Sequence, residues 1–504
     1  MDSGIADVLD TVDHQVLNGR RGTGKTHALT YLASERKRRG DLAINLDLRT
    51  IGSPDGILDP SSATVTERAS RLLVDLLGQM HDSLLNAVME DDALVEDTNL
   101  IEKMDALLAA LTRVRMDGEV EVQTEDESAS GVKAGVQIAA KVSPVPALGM
   151  AGGSAREVVE KSVFRETRRG NERLALNFSD VSRALRDLGA SLGAHRIWLL
   201  LDEWTSVPRD IQPYLAQFIS RCVLPQRRFT VKIAAIEQQA NWRAQIGEEL
   251  VGIELGADMS GSLTLDDFMV FESNEERARA FFTGLIFKHL TSSGEGIVAV
   301  AGLNDPSDVV RLGFTDTRAL DELVRAAEGV PRDALHIAAD AARKAGEGRI
   351  SVPLVRDAAR AWYQSDKFRA LESREEAKDL LNWIIDRVIR EKKARAFLIS
   401  ERHSRDSLLL SLFDARVLHV VRRGYSAQDR PGERYEVWVI DYGAYVDLIQ
   451  TKNAPTLELF PGGDADPGDV DVPKQDLRAI RRAILDLDAF YAERPRPGEA
   501  FART

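Results

Sequence analysis

The residues in this chain best spaced to do chemistry are Gly19-Arg20-Arg21-Gly22-Thr23-Gly24-Lys25-Thr26, a full match to G-x-x-x-x-G-K-[ST]. Glycines at these positions let successive backbone N–H groups turn inward around a phosphate, which then also lies at the positive end of a following helix. Lys25 is placed to reach the β- and γ-phosphates of ATP, and Thr26 to ligate Mg²⁺. A triphosphate site that hydrolyses also needs carboxylates. Arg196 to Trp204 reads R-I-W-L-L-L-D-E-W, an apolar run ending in two of them. Asp202 is expected to hold the Mg²⁺ shell, and Glu203 to polarise the attacking water as a general base. A further strand, Phe229 to Ile236, ends in Glu237 and Gln238. Either side chain could hydrogen-bond the γ-phosphate or the water.

These residues need strands that end together. His14 to Leu17 reads as a short apolar strand before the glycines, and His27 to Lys37 as a helix after them. Asp41 to Leu48 alternates as a second strand, and the apolar run into Asp202 is that of a buried parallel strand. Core-facing helices are predicted over Ser61 to Met80, Leu100 to Val114, Phe178 to Gly193 and Pro213 to Cys222. The order is that of an α/β parallel sheet, its site in the crevice at the carboxyl ends of the strands. One segment is additional: Glu119 to Thr124 and Val132 to Val142 alternate as a β-ribbon, an insertion over about 117–155. It either packs on the sheet or reaches a protein partner.

Composition bounds the remainder. A chain of 504 residues has room for two to four domains, and 44% hydrophobic with 29% charged residues describes soluble globular ones. The net charge of -14 argues against coating nucleic acid with the whole surface, while leaving room for a local basic face. The single cysteine, Cys222, excludes an intrachain disulfide and reads as core. No apolar run approaches membrane-spanning length, since 132–150 is broken by Lys133, Lys141 and two prolines, and the N-terminus has no leader pattern. A cytoplasmic protein without a membrane partner is expected.

From Leu263 the pattern becomes helical, with helices predicted at 273–290, 316–328, 331–344 and 353–365. The third opens Gly329-Val330-Pro331-Arg332-Asp333-Ala334-Leu335. Proline fixes the helix start, and Arg332 falls in the first turn, where a cation gains nothing from the helix dipole. A nearby anion would explain it.

Together, G-R-R-G-T-G-K-T, the strand ending in Asp-Glu, the polar strand tip and G-V-P-R-D-A-L resemble an AAA+ ATPase of the initiator branch, which includes the origin-recognition-complex family. The resemblance covers about residues 12 to 365 without the ribbon. It implies that Arg332 is the lid arginine called sensor 2, and that Glu237 or Gln238 is sensor 1, in place of the asparagine usual there. It also implies an arginine finger acting on a neighbouring subunit of a homo-oligomer. Arg243 serves, or Arg227 or Arg228 does, or the chain has none and resembles the slow signalling switches of the STAND class.

Residues 369–452 resemble the winged helix that follows the lid in initiators, one helix short of the usual three. Between Arg387 and Arg434 there are twelve lysines and arginines against six acids, which points to double-stranded DNA as partner. An acidic linker and a final helix over 475–491 fill 453–504. The domains are then 1–262, 263–368, 369–452 and 453–504. The expected activity is a slow ATPase switch acting on DNA or, alternatively, on a protein partner.

Overall fold

The computed structural model describes residues 4–52, 64–111, 114–124, 166–174, 177–265, 275–293, 299–392, 394–426, 432–450 and 483–493. After a short helix α1 (Ile5–Leu9), strand β1 (Gln15–Asn18) runs into the glycine turn and helix α2 (Lys25–Arg38). Strand β2 (Leu42–Asp47) is followed by helices α3 (Val65–Met89) and α4 (Thr98–Leu111), then by the ribbon strands β3 (Val114–Thr124) and β4 (Glu166–Leu174). Helix α5 (Phe178–Ser191), β5 (Ile197–Asp202), α6 (Gln212–Phe218) and β6 (Phe229–Ala235) follow, then a hairpin of β7 (Arg243–Ile246) and β8 (Glu249–Gly252), and β9 (Ser260–Thr264).

The central sheet has the order β2-β5-β6-β1-β9, and every neighbouring pair is parallel. All residues of β5 and β6 are buried, as strands covered on both faces must be. Leu72, Leu76 and Leu185 cover one face with the helices that carry them, and Leu29 and Leu32 of α2 cover the other.

Three sequence expectations change. The predicted ribbon partner at 132–142 lies outside the described residues, and β3 pairs instead with Glu166–Leu174, so the insertion runs past 155. The boundary at 262 cuts β9, which pairs with β1 and belongs to the central sheet. The helix expected over 475–491 lies outside the described residues up to 482. Beyond that, Ile484–Leu485 is a strand (β13) and only Leu487–Glu493 is helical. Pairing with the strand Ala396–Ser400 supersedes the local apolar period there, since Leu398 and Ile399 take Ile484 and Leu485 as partners.

The helical region read above as a lid comprises α7 (Glu275–Thr291), α8 (Pro306–Gly313), α9 (Thr317–Ala326), α10 (Pro331–Ala345) and α11 (Val352–Trp362). The C-terminal domain has α12 (Glu375–Ile384), β10 (Ala396–Ser400), α13 (Ser407–Asp414), β11 (Leu418–Ser426), β12 (Arg434–Ile440) and α14 (Tyr442–Gln450). Its sheet has the order β11-β12-β10-β13, antiparallel except for β10 with β13. Lid and C-terminal domain share one apolar core. A Cβ at Gly443 of α14 would lie 2.5 Å from the carbonyl oxygen of Ala359, so only glycine allows these helices to meet this closely. No helix of the described residues is long and apolar enough to cross a membrane.

Candidate functional site

The site forms where the parallel strands end. The N–H of Gly19 donates to Ala235 O of β6 at 3.1 Å, so the glycine turn begins locked to the neighbouring strand. Gly22 and Gly24 have φ of 85° and 93°, values that side chains with a Cβ rarely adopt. Thr23 is buried, and its hydroxyl donates to Arg20 O at 2.9 Å, closing the turn from inside. Lys25 bends its ammonium back over the turn, 2.8 Å from Gly19 O and 2.9 Å from Arg20 O. A buried cation so held, beside N–H groups at a helix start, fits an anion of phosphate size. Thr26 is exposed in the first turn of α2. Its hydroxyl and the Asp202 carboxylate are both oxygen donors of the kind a hard divalent cation takes.

Strands β1 and β5 are separated only by β6. At about 4.8 Å per strand, the glycine turn and the acidic pair stand roughly 10 Å apart, with the tip of β6 between them. Asp202 is buried, and its Oδ1 accepts the N–H of Glu203 at 2.8 Å. Gln238 is buried in the 3₁₀ turn that ends β6, while Glu237 turns its carboxylate to Arg423 Nη1 of the C-terminal domain at 2.8 Å. Gln239 donates to Asp414 of the same domain.

The lid meets the turn through Arg332, whose N–H donates to Gly22 O at 3.3 Å. Its guanidinium is less basic than an ordinary arginine, first because of burial and then because Arg416 and Arg21 crowd it with like charge. Asp333 and Asp366 offset part of this, Asp333 by pairing with Arg416.

Other site residues escaped the sequence reading. Asp47 stands beside Asp202 in register, at the end of β2, and accepts from Arg49 through both oxygens. That pairing holds the Asp47 carboxyl below its usual range. Arg49 Nη1 is also 4.0 Å from Glu203 Oε1. Asp47 ends an apolar strand as Asp202 does, which was the available signal. The C-terminal domain supplies the rest. Arg20 donates to Glu328 O at 2.5 Å, and the Glu328 carboxylate accepts from Arg395 at 2.7 Å, the pair almost fully buried. Asp333, next to Arg332, binds Arg416 at 2.7 Å and Lys367 at 2.9 Å. Lys367 reaches on to Asp441 at 2.5 Å, and His419 Nε2 lies 3.0 Å from the same carboxylate.

The pKa directions follow from this packing. Burial would raise the carboxyls of Asp333 and Asp441, but Lys367 outweighs it, with Arg416 at Asp333 and His419 at Asp441, and both are held low. His419 is pushed down to about 3, by burial first and then by Arg20. Among the described residues three non-glycine positions have positive φ, namely Glu203, Glu328 and Arg416. Each carries a contact at this site, where backbone strain held by its surroundings tends to gather.

The finger candidates lie apart. Arg243 opens the β7–β8 hairpin and pairs with Glu254 at 2.7 Å. Arg227 and Arg228 precede β6 at the opposite end of the sheet, where Arg228 donates to Ala194 O at 3.3 Å.

No protein-family model matches the chain, and no curated protein matches it. Among solved structures it is similar to the Aeropyrum pernix Orc1 protein in complex with DNA, at 13% identity over 87% of each chain with a TM-score of 0.23. At that score the likeness is distant, and no shared site follows from it.

Proposed function

We propose that this chain is an ATP-binding and hydrolysing switch of the AAA+ class, in which nucleotide state sets how lid and C-terminal domain are presented to a macromolecular partner. The observation that carries this reading is the seating of Arg332 on Gly22, which joins the lid to the turn that would hold the phosphates. Gly19 to Thr26 would cradle the β- and γ-phosphates, with Lys25 leaving its own carbonyls for them. Thr26 and Asp202 would hold Mg²⁺, which when bound supplies charge neutralisation of the phosphate oxygens. Glu203 would take the proton of the attacking water, and Glu237 or Gln238 would orient that water or the γ-phosphate. Arg332 would contact the γ-phosphate and so distinguish ATP from ADP.

The partner is DNA in this reading, through exposed arginines of 387–434, with the ribbon as a second, protein-binding element. One observation favours the alternative, a STAND-like signalling switch with a protein partner. Arg395, Arg416 and Arg423, counted above toward a DNA face, instead pair inward with Glu328, Asp333 and Glu237.

Titration of the full chain with ATP and Mg²⁺ tests the core of the proposal. Wild type should bind with a micromolar dissociation constant, and Lys25→Ala should lose at least about a hundredfold, because the phosphate charge is left without its buried counter-cation. Equal affinity in the two proteins rules the phosphate-binding role out.

A further inference from the structure

Arg423 is aimed by its strand. The pairing of β11 with β12 loses regular register between Val420 and Tyr425, and Gly424 in that stretch has φ of 64°. Such an irregularity re-aims side chains that regular alternation would send elsewhere. Arg423 is thereby directed out of its own domain, onto Glu237 at the tip of β6. Behind it stands Glu436, with Oε1 3.8 Å from Arg423 Nε. Glu436 is buried, and its other oxygen accepts the indole N–H of the fully buried Trp438 at 3.1 Å. A chain of contacts therefore runs from a rigid core residue through Glu436 and Arg423 to Glu237. It borders a polar cavity of about 290 Å³, lined among others by Gln238, Arg209 and Arg405.

A solvent-facing arginine-glutamate pair is ordinarily worth little, because two flexible side chains must be ordered to form it. Here one partner is ordered beforehand. Arg395 on Glu328 and Arg416 on Asp333, both buried, fix the same domain to the helical region, and Arg20 ties Glu328 to the glycine turn, so Arg423 is carried on a framework already joined to the sheet.

Resting on the reading of the site as an ATPase, we infer that Arg423 is a positioning residue for Glu237, so that the hydrolytic site is complete only while the C-terminal domain is docked. Arg423 holds Oε2 of Glu237, so the orientation of that carboxylate is set from the C-terminal domain. The domain thus gates turnover without itself touching nucleotide. Undocking it by a partner would release Glu237 and leave ATP bound but slowly hydrolysed.

The experiment measures kcat, KM, the dissociation constant of a fluorescent ATP analogue and the melting temperature for full-length wild type and for R423Q, R423K, E237Q and the R423Q/E237Q double variant. R423Q should lower kcat about tenfold, with KM and analogue binding within about twofold. R423K, which keeps one charged contact, should recover most of the loss. Because Arg423 acts through Glu237, the double variant should be no slower than E237Q alone. Wild-type kcat in R423Q overturns the inference, as does multiplication of the two single losses in the double variant. A change confined to melting temperature and KM overturns it too, marking a structural contact. A wild type that binds no ATP fails the ATPase reading itself, whereas normal turnover with an indifferent Arg423 fails only the positioning role.

Discussion

The backbone N–H of Arg332 bonds to the carbonyl of Gly22, and a Cβ placed on Gly22 would stand 3.0 Å from both Cβ and Nε of that arginine. Lid and glycine turn are therefore packed backbone to backbone, with the space of one hydrogen atom where a methyl would stand. The arginine that could distinguish ATP from ADP is consequently held at the turn before any ligand arrives, and its ordering cost on binding is reduced.

Two substitutions separate the contact from the charge. Gly22→Ala must adopt a left-handed φ, at a cost of about 1–2 kcal/mol, and must also displace Arg332. Calorimetric titration should show ATP and ADP affinity falling together, by about tenfold or more. Arg332→Ala leaves the turn intact, so ADP binding should stay within about twofold while ATP loses roughly tenfold. Equal losses for both nucleotides in Arg332→Ala would remove the γ-phosphate from its account.

Arg49 is bound firmly to Asp47 and more loosely to Glu203, 4.0 Å away. A cation at that distance draws the Glu203 carboxylate toward β2 and competes for the lone pair that would take a proton from water. Arg49→Ala should raise turnover severalfold with ATP affinity unchanged. Glu203→Gln, which keeps the shape and removes the base, should bind ATP and hardly turn it over. Steady-state phosphate release read beside analogue binding checks both, and a slower Arg49→Ala would assign the arginine to the site in a supporting role.

Local chemistry made half of this site readable and geometry hid the rest. The glycine turn, the apolar strand into Asp202 and the proline before Arg332 each carry their signal within a few residues, because backbone conformation and burial act locally there. The hairpin at 243–252 has two four-residue strands that are largely exposed, so no apolar period marks it, and β9 has only a short apolar signal at its end. Asp47 and Arg49 acquire meaning only when β2 lies in register beside β5. The arginines of the C-terminal domain show the same limit. Counting charges between Arg387 and Arg434 cannot see Glu328, Asp333 or Glu237, the distant acids that three of them meet. A net basic window was therefore read as a surface, where part of it is an interface between domains.

Buried His419 supplies a pH signature. Its pKa is pushed down to about 3 in the folded chain, against about 6.5 when unfolded. Between these values the unfolded chain binds more protons, so stability is fully present above about pH 6.5 and is lost as pH falls toward 3. From pH 7 to pH 5 the loss should be on the order of 1–2 kcal/mol. His419→Gln removes the titrating ring while keeping a donor for Asp441, and its melting temperature should fall less over that interval than wild type's. Parallel curves for the two proteins would show that His419 is not the acid-sensitive group.

Exposed arginines give the test that separates the two partners. Arg422 lies over the ring of Tyr425, and Arg434 is exposed on the paired strand opposite Ser426. Arg423, between them in the fold, has its charge compensated by Glu237 and Glu436. If this face binds duplex DNA, each free arginine that neutralises a phosphate adds about 0.9 to the slope of log affinity against log salt. The Arg422→Ala/Arg434→Ala double variant should then be shallower than wild type by nearly two. Arg423→Ala should leave the slope unchanged, because a compensated charge releases few counterions. Fluorescence anisotropy with a random duplex between about 50 and 200 mM salt resolves slopes of this size. A wild type with no salt-dependent affinity in the presence of ATP excludes the DNA partner, and the inward-turned arginines then favour a protein-directed switch.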